Sequence, residues 1–128
     1  MSRSAIQLKR AYEKPTSTDG QRILVERLWP RGLTKAKAKI DLWRKDIAPS
    51  SELRTWYSHD VAKWPEFRKR YLAELRANPE PVKQLRGLAK QGTITLIYAA
   101  HDEQHNSARV LKQVLERSRT PRSRKPRP

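Results

Sequence analysis

The chain contains no cysteine, only four scattered glycines and no long apolar run. The lack of cysteine excludes disulfide bonds, thiol catalysis and thiolate metal sites. The glycines are too dispersed to form a glycine-rich loop that holds phosphate groups. No stretch approaches the roughly 18 apolar residues of a membrane-spanning helix. The opening residues, MSRSAIQLKR, lack the apolar segment of a secretory signal, so we expect a cytoplasmic protein without a membrane partner.

Acidic residues are also scarce. The 13 Asp and Glu residues stand against 29 Lys and Arg residues, which gives a formal net charge of +16 over 128 residues. Residues 117–128, RSRTPRSRKPRP, contain six of the basic residues, three prolines and no acid. This composition offers almost nothing apolar to bury, so we predict a disordered basic tail after a single α/β domain formed by residues 1–116. The tail can bind nucleic acid weakly and without sequence preference, through charge alone.

The most informative segment is residues 93–115, TITLIYAAHDEQHNSARVLKQVL. Its first seven residues are uncharged and rich in β-branched side chains, which predicts a strand buried on both faces. Asp102 is a typical helix cap, and Ala108, Leu111 and Val114 follow at helical spacing, which predicts a helix after the strand. Ligands of α/β proteins usually bind outside the carboxyl ends of the strands. A site is therefore expected at residues 98–106.

Two more strands are predicted earlier in the chain. Residues 5–12 form a short strand near a sheet edge, and residues 22–29, RILVERLW, form a second apolar strand. Residues 40–47 are expected to form a short helix, and further helices follow up to Gly92, with Ser50 or Ser51 as a cap. This long helical passage favours a parallel crossover between the second and third strands.

The predicted fold is therefore an α/β domain with a small three-stranded sheet and helices packed on it. The second and third strands are expected to be parallel, and the direction of the first stays open. If the two strands are parallel, their carboxyl ends share one edge of the sheet. We then expect the polar residues that follow each strand to surround one pocket, namely Arg27, Trp29, Arg31, Tyr98, His101, Asp102, His105 and Asn106.

The segment VERLWPRG, residues 25–32, has two interpretations. Arg27 and Arg31 offer planar guanidinium groups suited to phosphate or carboxylate, and Trp29 can stack on a base or cover the site. In the alternative interpretation, Trp29 belongs to the core, Arg27 pairs with an acid such as Glu26 or Asp102, and Arg31 is solvated. The alternative is the more common situation for a strand end.

The segment HDEQH, residues 101–105, places two histidines four residues apart. This spacing can bind a metal ion, but the acid is displaced from its position in the HExxH motif and His101 precedes the expected helix start. We therefore expect no metal site. The two His-Asp dipeptides do not meet the needs of a metal-dependent phosphohydrolase, because only three histidines are present, and no G-x-S-x-G elbow supports a Ser-His-Asp hydrolase. The aromatic residues of the helical passage are typical of core packing rather than of a base-stacking platform.

Four segments together resemble the YeaO-like branch of the bacterial domain-of-unknown-function family 488. They are DGQRILVERLWPRGLTK, APSSELRTWYSHD, FRKRYLAEL and TLIYAAHDEQHNSARVL, within residues 5–116. The resemblance implies a small α/β domain with parallel strands and brings no established activity. It adds Arg54 and His59 to the polar set, and it implies that Tyr98, Asp102, His105 and Asn106 belong to that set. His101 stands where a Lys is common in this family.

The function predicted from the sequence is binding of a small anionic ligand, phosphorylated or nucleotide-like, at the carboxyl edge of the sheet. If catalysis follows, His105 or His59 is the expected general acid or base, with Asp102 beside it. The expected ligand-binding residues are Arg27, Trp29, Arg31, Arg54, Tyr98 and Asn106. No cofactor is required. The alternative is a nucleic-acid-binding protein that acts through its charge and has no catalytic activity.

Overall fold

The computed structural model describes residues 5–119, in which helices pack on a sheet of four parallel strands. In chain order the strands are β1 (Ile6–Arg10), β2 (Gln21–Leu24), β3 (Leu42–Trp43) and β4 (Ile94–Tyr98). Their order across the sheet is β1-β4-β2-β3, and each neighbouring pair is parallel. The α/β class and the parallel arrangement of β2 and β4 are confirmed. The prediction of three strands is wrong, and β1 is parallel as well.

The additional strand, β3, falls within residues 40–47, which the sequence analysis predicts to be a helix. The amide of Asp41 donates to the carbonyl of Arg22, and the amide of Arg44 donates to the carbonyl of Leu24, both at 2.8 Å. These bonds attach the segment to β2 and override its helical spacing, because a short segment takes its structure largely from its neighbours. The helix prediction is therefore wrong, and only one 3₁₀ turn follows β3.

Five α-helices complete the described part of the chain. They are α1 (Lys35–Ala38), α2 (Ser51–Tyr57), α3 (Trp64–Ala77), α4 (Pro79–Gln91) and α5 (Ser107–Arg119). The predicted cap at Ser50 is confirmed, since its hydroxyl accepts a hydrogen bond from the amide of Leu53 at 3.1 Å. Gly92 ends α4, also as predicted. None of these helices is long and apolar enough to cross a bilayer.

The start of α5 differs from the prediction. Asn106 caps the helix, because its Oδ1 accepts a hydrogen bond from the amide of Arg109 at 2.9 Å. The carboxylate of Asp102 instead accepts from the amides of Gln104 and His105 within the preceding loop. An Asp side chain that bonds to amides two and three residues later forms a turn rather than a helix cap. The prediction that Asp102 caps the helix is therefore wrong.

Strand β4 lies at the centre of the core. All five of its residues are buried, as predicted for a strand covered on both faces. Ile94 and Leu96 point to the larger apolar cluster beneath the helices, whereas Ile97 points to a smaller cluster with Leu24 and Ala11 on the opposite face. The alternation follows the two-residue period of a strand. Both faces of the sheet are thus covered, and the edge at the carboxyl ends is left for a site.

A buried ionic cluster stabilises the opposite, amino edge of the sheet. The carboxylate of Asp19 accepts hydrogen bonds from Lys9 at 2.9 Å, from Arg22 at 2.6 Å and from the amide of Thr16 at 3.0 Å. The hydroxyl of Thr95, on β4, donates to the carbonyl of Asp19 at 2.6 Å. Burial alone raises the pKa of Asp19, but these hydrogen bonds outweigh it and hold that pKa far below its ordinary value.

Gly20 permits the close approach of this loop to β4. Its φ of +64° lies in the left-handed region, and a Cβ at this position would lie 2.1 Å from the carbonyl oxygen of Thr93. The same oxygen accepts the amide hydrogen bond of Gln21 at 3.1 Å, which begins the pairing of β2 with β4. Only glycine meets both requirements at this position.

The predicted boundary between domain and tail falls near the end of the described residues. Helix α5 continues through residues 117–119, which the sequence analysis assigns to the tail. The rest of the predicted tail, residues 120–128, lies outside the described residues.

Candidate functional site

A cleft of about 700 Å³ lies at the carboxyl ends of β1, β2 and β4. The loops that follow these strands form part of its wall, and α2 with its following turn, Phe67 of α3 and Ser107 of α5 also line it. The position agrees with the general rule for parallel α/β sheets, and the volume is in the ordinary range for small-ligand sites. The sequence-predicted residues that line the cleft are Trp29, Arg31, Arg54, His59, His101, Asp102, His105 and Asn106.

Glu26 is the principal cleft residue that the sequence analysis did not select. Its Oε2 accepts a hydrogen bond from the amide of Ala99, at the end of β4, at 3.0 Å. Burial raises the pKa of the Glu26 carboxyl above its ordinary value, while the Ala99 amide and the nearby charges of Arg54 and His59 oppose this rise. Its signal in the sequence is a single acid directly after the apolar residues 23–25.

Arg31 and Arg54 are the arginines of the cleft. Both are exposed, and they come from different elements: Arg31 from the loop after β2, and Arg54 from α2. The carbonyl of Arg31 accepts a hydrogen bond from the Tyr12 hydroxyl at 2.9 Å, which joins the loops after β1 and β2. Two guanidinium groups at one opening can bind the oxygens of a phosphate or a carboxylate.

His105 and Asp102 form a hydrogen-bonded pair in the loop after β4. The Nδ1 of His105 donates to Asp102 Oδ2 at 2.9 Å, and the Trp64 ring packs edge-on against the imidazole at 5.3 Å. The hydrogen bond from the His105 ring and those from the amides of Gln104 and His105 hold the pKa of Asp102 below its ordinary value. Because an ionised carboxylate only accepts, Nδ1 carries the proton and Nε2 is left for another partner. This arrangement can orient an imidazole for acid-base chemistry or for binding.

His59 and His101 line the cleft from two different parts of the chain. His59 follows α2 and has a φ of +58°, in the left-handed region, as does Ser58 with a φ of +46°. The imidazole ring of His59 lies 6.4 Å from the ring of Tyr57. His101 lies beside Arg10, whose Nη2 is 3.5 Å from the His101 Nδ1, so this histidine is associated with the end of β1.

The side chains of His101 and His105 each contact a different residue. Arg10 contacts the first ring and Asp102 contacts the second. Among residues 5–119, no group of three or more His, Asp or Glu side chains is placed to hold a metal ion.

Trp29 and Asn106 have structural contacts in addition to lining the cleft. The indole of Trp29 donates to the Leu33 carbonyl, and its ring packs edge-on against Trp43 at 5.4 Å, next to the smaller core cluster. The side-chain amide of Asn106 donates to the Asp102 carbonyl at 2.9 Å, which closes the loop before α5. Both residues therefore help to shape the cleft.

Two of the predicted residues, Arg27 and Tyr98, do not line the cleft. The guanidinium of Arg27 donates to the carbonyls of Pro49 at 3.1 Å and Ala48 at 3.3 Å, and it borders a separate cavity of about 190 Å³. Tyr98 is buried, and burial raises the pKa of its phenol. Strand β2 ends at Leu24, earlier than predicted, so the path of the chain beyond it directs Glu26 rather than Arg27 to the cleft.

The fold and the site define a small parallel α/β domain with a cleft of small-ligand size, lined by both polar and apolar residues, at the carboxyl edge of its sheet. Within that class, the chain belongs to the family described as the inactive DUF488-N3 subclade, whose model matches residues 5–127. The resemblance stated from the sequence is thereby confirmed.

Two relatives are similar over most of their length. The uncharacterized protein YeaO of Escherichia coli K12 is 44% identical over 106 residues, covering 83% of this chain and 92% of the relative. The uncharacterized protein Rv3073c of Mycobacterium tuberculosis H37Rv is 38% identical over 110 residues, covering 86% of this chain and 92% of the relative. No solved structure is detectably similar to the chain.

Proposed function

We propose that this protein binds a small anionic ligand, phosphorylated or nucleotide-like, in the cleft at the carboxyl edge of its sheet. The observation that carries the proposal is the pair Arg31 and Arg54, which line one cleft from two separate elements. Neither guanidinium donates a hydrogen bond to another residue within the described part of the chain, and neither is buried. Their donors are therefore available to a phosphate group, for which the arginine fork is well suited.

The histidines add to the same proposal. His105, oriented by Asp102, offers its Nε2 to a ligand, and His59 lies near the Glu26 carboxyl. The description of the family as inactive supports binding without turnover. In this function His105 and His59 contact the ligand by hydrogen bonds. Their predicted roles as general acid or base require that a bound phosphate ester is hydrolysed, which an assay for released phosphate tests.

The test is a thermal-shift and calorimetric screen of the full chain with inorganic phosphate, ribose 5-phosphate and adenosine monophosphate. A ligand at about a hundred times its dissociation constant is expected to add roughly 2.7 kcal/mol to the free energy of unfolding. Arg31→Ala and Arg54→Ala should each weaken binding by about tenfold or more, since each removes a charge-assisted hydrogen bond.

Arg76→Ala is the matched control. Arg76 is an exposed arginine near the end of α3 and does not line the cleft, so its replacement removes the same charge at a distance. Binding in this variant should equal that of the unmodified chain. Equal binding in all three variants would refute the proposal, as would the absence of binding of every phosphate-bearing ligand. Arg27 is not part of the proposal because its guanidinium is bonded to the carbonyls of Ala48 and Pro49.

A second candidate function is charge-driven binding of nucleic acid, which the net charge of +16 favours. Such binding neutralises phosphates without reading bases, so it is weak and depends strongly on salt. It requires no cleft, and substitutions of Arg31 or Arg54 should change it no more than substitution of Arg76. Both candidate functions are compatible with the cytoplasmic location expected from the sequence.

A further inference from the structure

Within residues 5–119, one carboxylate oxygen of Glu26 accepts a hydrogen bond and the other has no hydrogen-bonding partner. Oε2 accepts the amide hydrogen bond of Ala99, and the backbone carbonyl of Glu26 accepts from the Trp43 indole at 2.7 Å. Oε1 makes no hydrogen bond to any residue in the described range 5–119, and the side chain lines the cleft. Placing a partly buried carboxyl at a strand end is unfavourable unless its oxygens are satisfied. Half of this carboxyl is therefore available to a ligand.

The surroundings of Glu26 restrict which ligand group it accepts. Arg54 and His59 lie close enough to affect the Glu26 carboxyl electrostatically. The positive charges of this guanidinium and of a protonated His59 weaken the attraction between Oε1 and a cationic ligand group, whereas they do not repel neutral hydroxyl groups. Hydroxyl groups donate readily to a carboxylate, and Oε1 can accept from two adjacent hydroxyls because it has two lone pairs.

The cleft therefore has two chemically different parts. A half-buried acceptor, Glu26, and two exposed donors, Arg31 and Arg54, line the same cleft. A bare phosphate ion would contact only the arginines and leave Oε1 empty. A ligand that joins hydroxyl groups to a phosphate by a short carbon frame satisfies both parts.

We propose that the ligand is a hydroxylated phosphate ester of the ribose phosphate type, whose vicinal hydroxyls donate to Glu26 while its phosphate contacts Arg31 and Arg54. This inference rests on the proposed function, because it assigns the ligand class of the same cleft. A free pentose phosphate and a nucleotide share this chemistry. Trp29 and Tyr12 also line the cleft, and in the second case their aromatic side chains can pack against a base.

The experiment compares ligands that differ only in the hydroxyls. Calorimetric titration of the full chain uses adenosine monophosphate, its 2′,3′-dideoxy form, ribose 5-phosphate and inorganic phosphate. Adenosine monophosphate should bind about tenfold to a hundredfold more tightly than the dideoxy form, the usual effect of hydrogen bonds to a charged acceptor. Equal affinities for ribose 5-phosphate and adenosine monophosphate would assign the site to the sugar phosphate alone, and tighter binding of the nucleotide would assign it to nucleotides.

Glu26→Gln tests the residue. The amide oxygen of Gln can still accept from Ala99, but an amino group that donates replaces the second carboxylate oxygen. The ratio of the affinities for adenosine monophosphate and its dideoxy form should therefore fall to near one. Glu66→Gln is the control, because Glu66 is paired with Arg70 on α3 and does not line the cleft, and it should keep the full preference.

The two proposals fail in different ways. If phosphate and both nucleotides bind and the unmodified chain does not discriminate between the nucleotides, the hydroxyl inference is refuted while the proposed function stands. That comparison needs no variant, so it holds even if Glu26→Gln does not fold. If none of the four ligands binds, both proposals are refuted.

Discussion

Replacing Asp19 with Asn is expected to destabilise the fold strongly, although Asp19 is distant from the cleft. The side chain of Asp19 is only 6% exposed, and its carboxylate bonds to Lys9 and Arg22. The Asn side chain retains one acceptor but no charge, so it leaves the cation of Arg22, itself 5% exposed, without an anionic partner. Breaking a buried ion pair in this way typically costs 3–5 kcal/mol.

The expected cost is at the lower end of that range, about 3 kcal/mol, because Arg22 keeps its hydrogen bonds to the carbonyls of Ala38 and Lys39. For a domain of this size the loss corresponds to a fall in Tm of about 10–15 °C. Circular dichroism during thermal and urea unfolding at pH 7 measures both values. Asp46→Asn is the control, since Asp46 is 50% exposed and its pair with Arg44 should contribute less than about 1 kcal/mol.

The pH dependence of the stability provides an independent check of the contribution of Asp19. The pKa of Asp19 is lowered in the folded chain from an ordinary value of 3.8. A carboxyl with a depressed folded pKa stabilises the fold above its unfolded pKa, and this contribution is lost as the pH falls toward the folded value. The difference in the free energy of unfolding between the unmodified chain and Asp19→Asn should therefore be constant from pH 7 to pH 5 and shrink below pH 4. An Asp19→Asn variant as stable as Asp46→Asn, or a difference that does not change with pH, would refute this reasoning.

Two further outcomes follow from the structure. Gly20→Ala should cost about 2–6 kcal/mol, because it adds a strained φ and a Cβ that meets the Thr93 carbonyl. Gly32→Ala, where φ is +78° and the surrounding space is open, should cost only about 1 kcal/mol, and equal unfolding midpoints for the two variants would contradict the assigned clash. Removal of residues 120–128, which carry four basic residues and no acid, should weaken binding to unrelated oligonucleotides. It should also flatten the plot of log affinity against log salt concentration, whose slope is about 0.9 for each duplex phosphate contacted. Tight, sequence-selective binding that survives the truncation would instead favour the nucleic-acid function over the small-ligand one.

The sequence was most informative where local pattern and tertiary environment agree. The uncharged, β-branched residues before Ala99 form a strand that is buried on both faces, as is typical of a central parallel strand. The same pattern, with the long helical passage before it, was enough to predict that β2 and β4 are parallel and that polar residues meet at their carboxyl ends. Arg31, His105 and Asn106, which were expected at that edge, do line one cleft.

The predictions from the sequence are wrong at places where one or two residues determine the path of the chain. Two residues form β3, and their pairing with β2 depends on backbone bonds that no side-chain pattern records. Glu26 rather than Arg27 lines the cleft because β2 ends at Leu24, and the ends of strands are poorly marked by composition. Asp102 and Asn106 are both good caps, and only the closed loop between them determines which one begins α5.

The order of the strands has a consequence for how the chain folds as it is synthesised. Strand β4 lies between β1 and β2, so Ile6 and Gln21 both find their partner at Ile94. A nascent chain that ends before residue 94 contains α2, α3 and α4 but lacks the strand that joins β1 to β2. Pairings between residues so distant in sequence form late and slowly, because a long loop must be closed first. The sheet is thus completed only when nearly the whole domain has left the ribosome, and the walls of the cleft come together in that same final step.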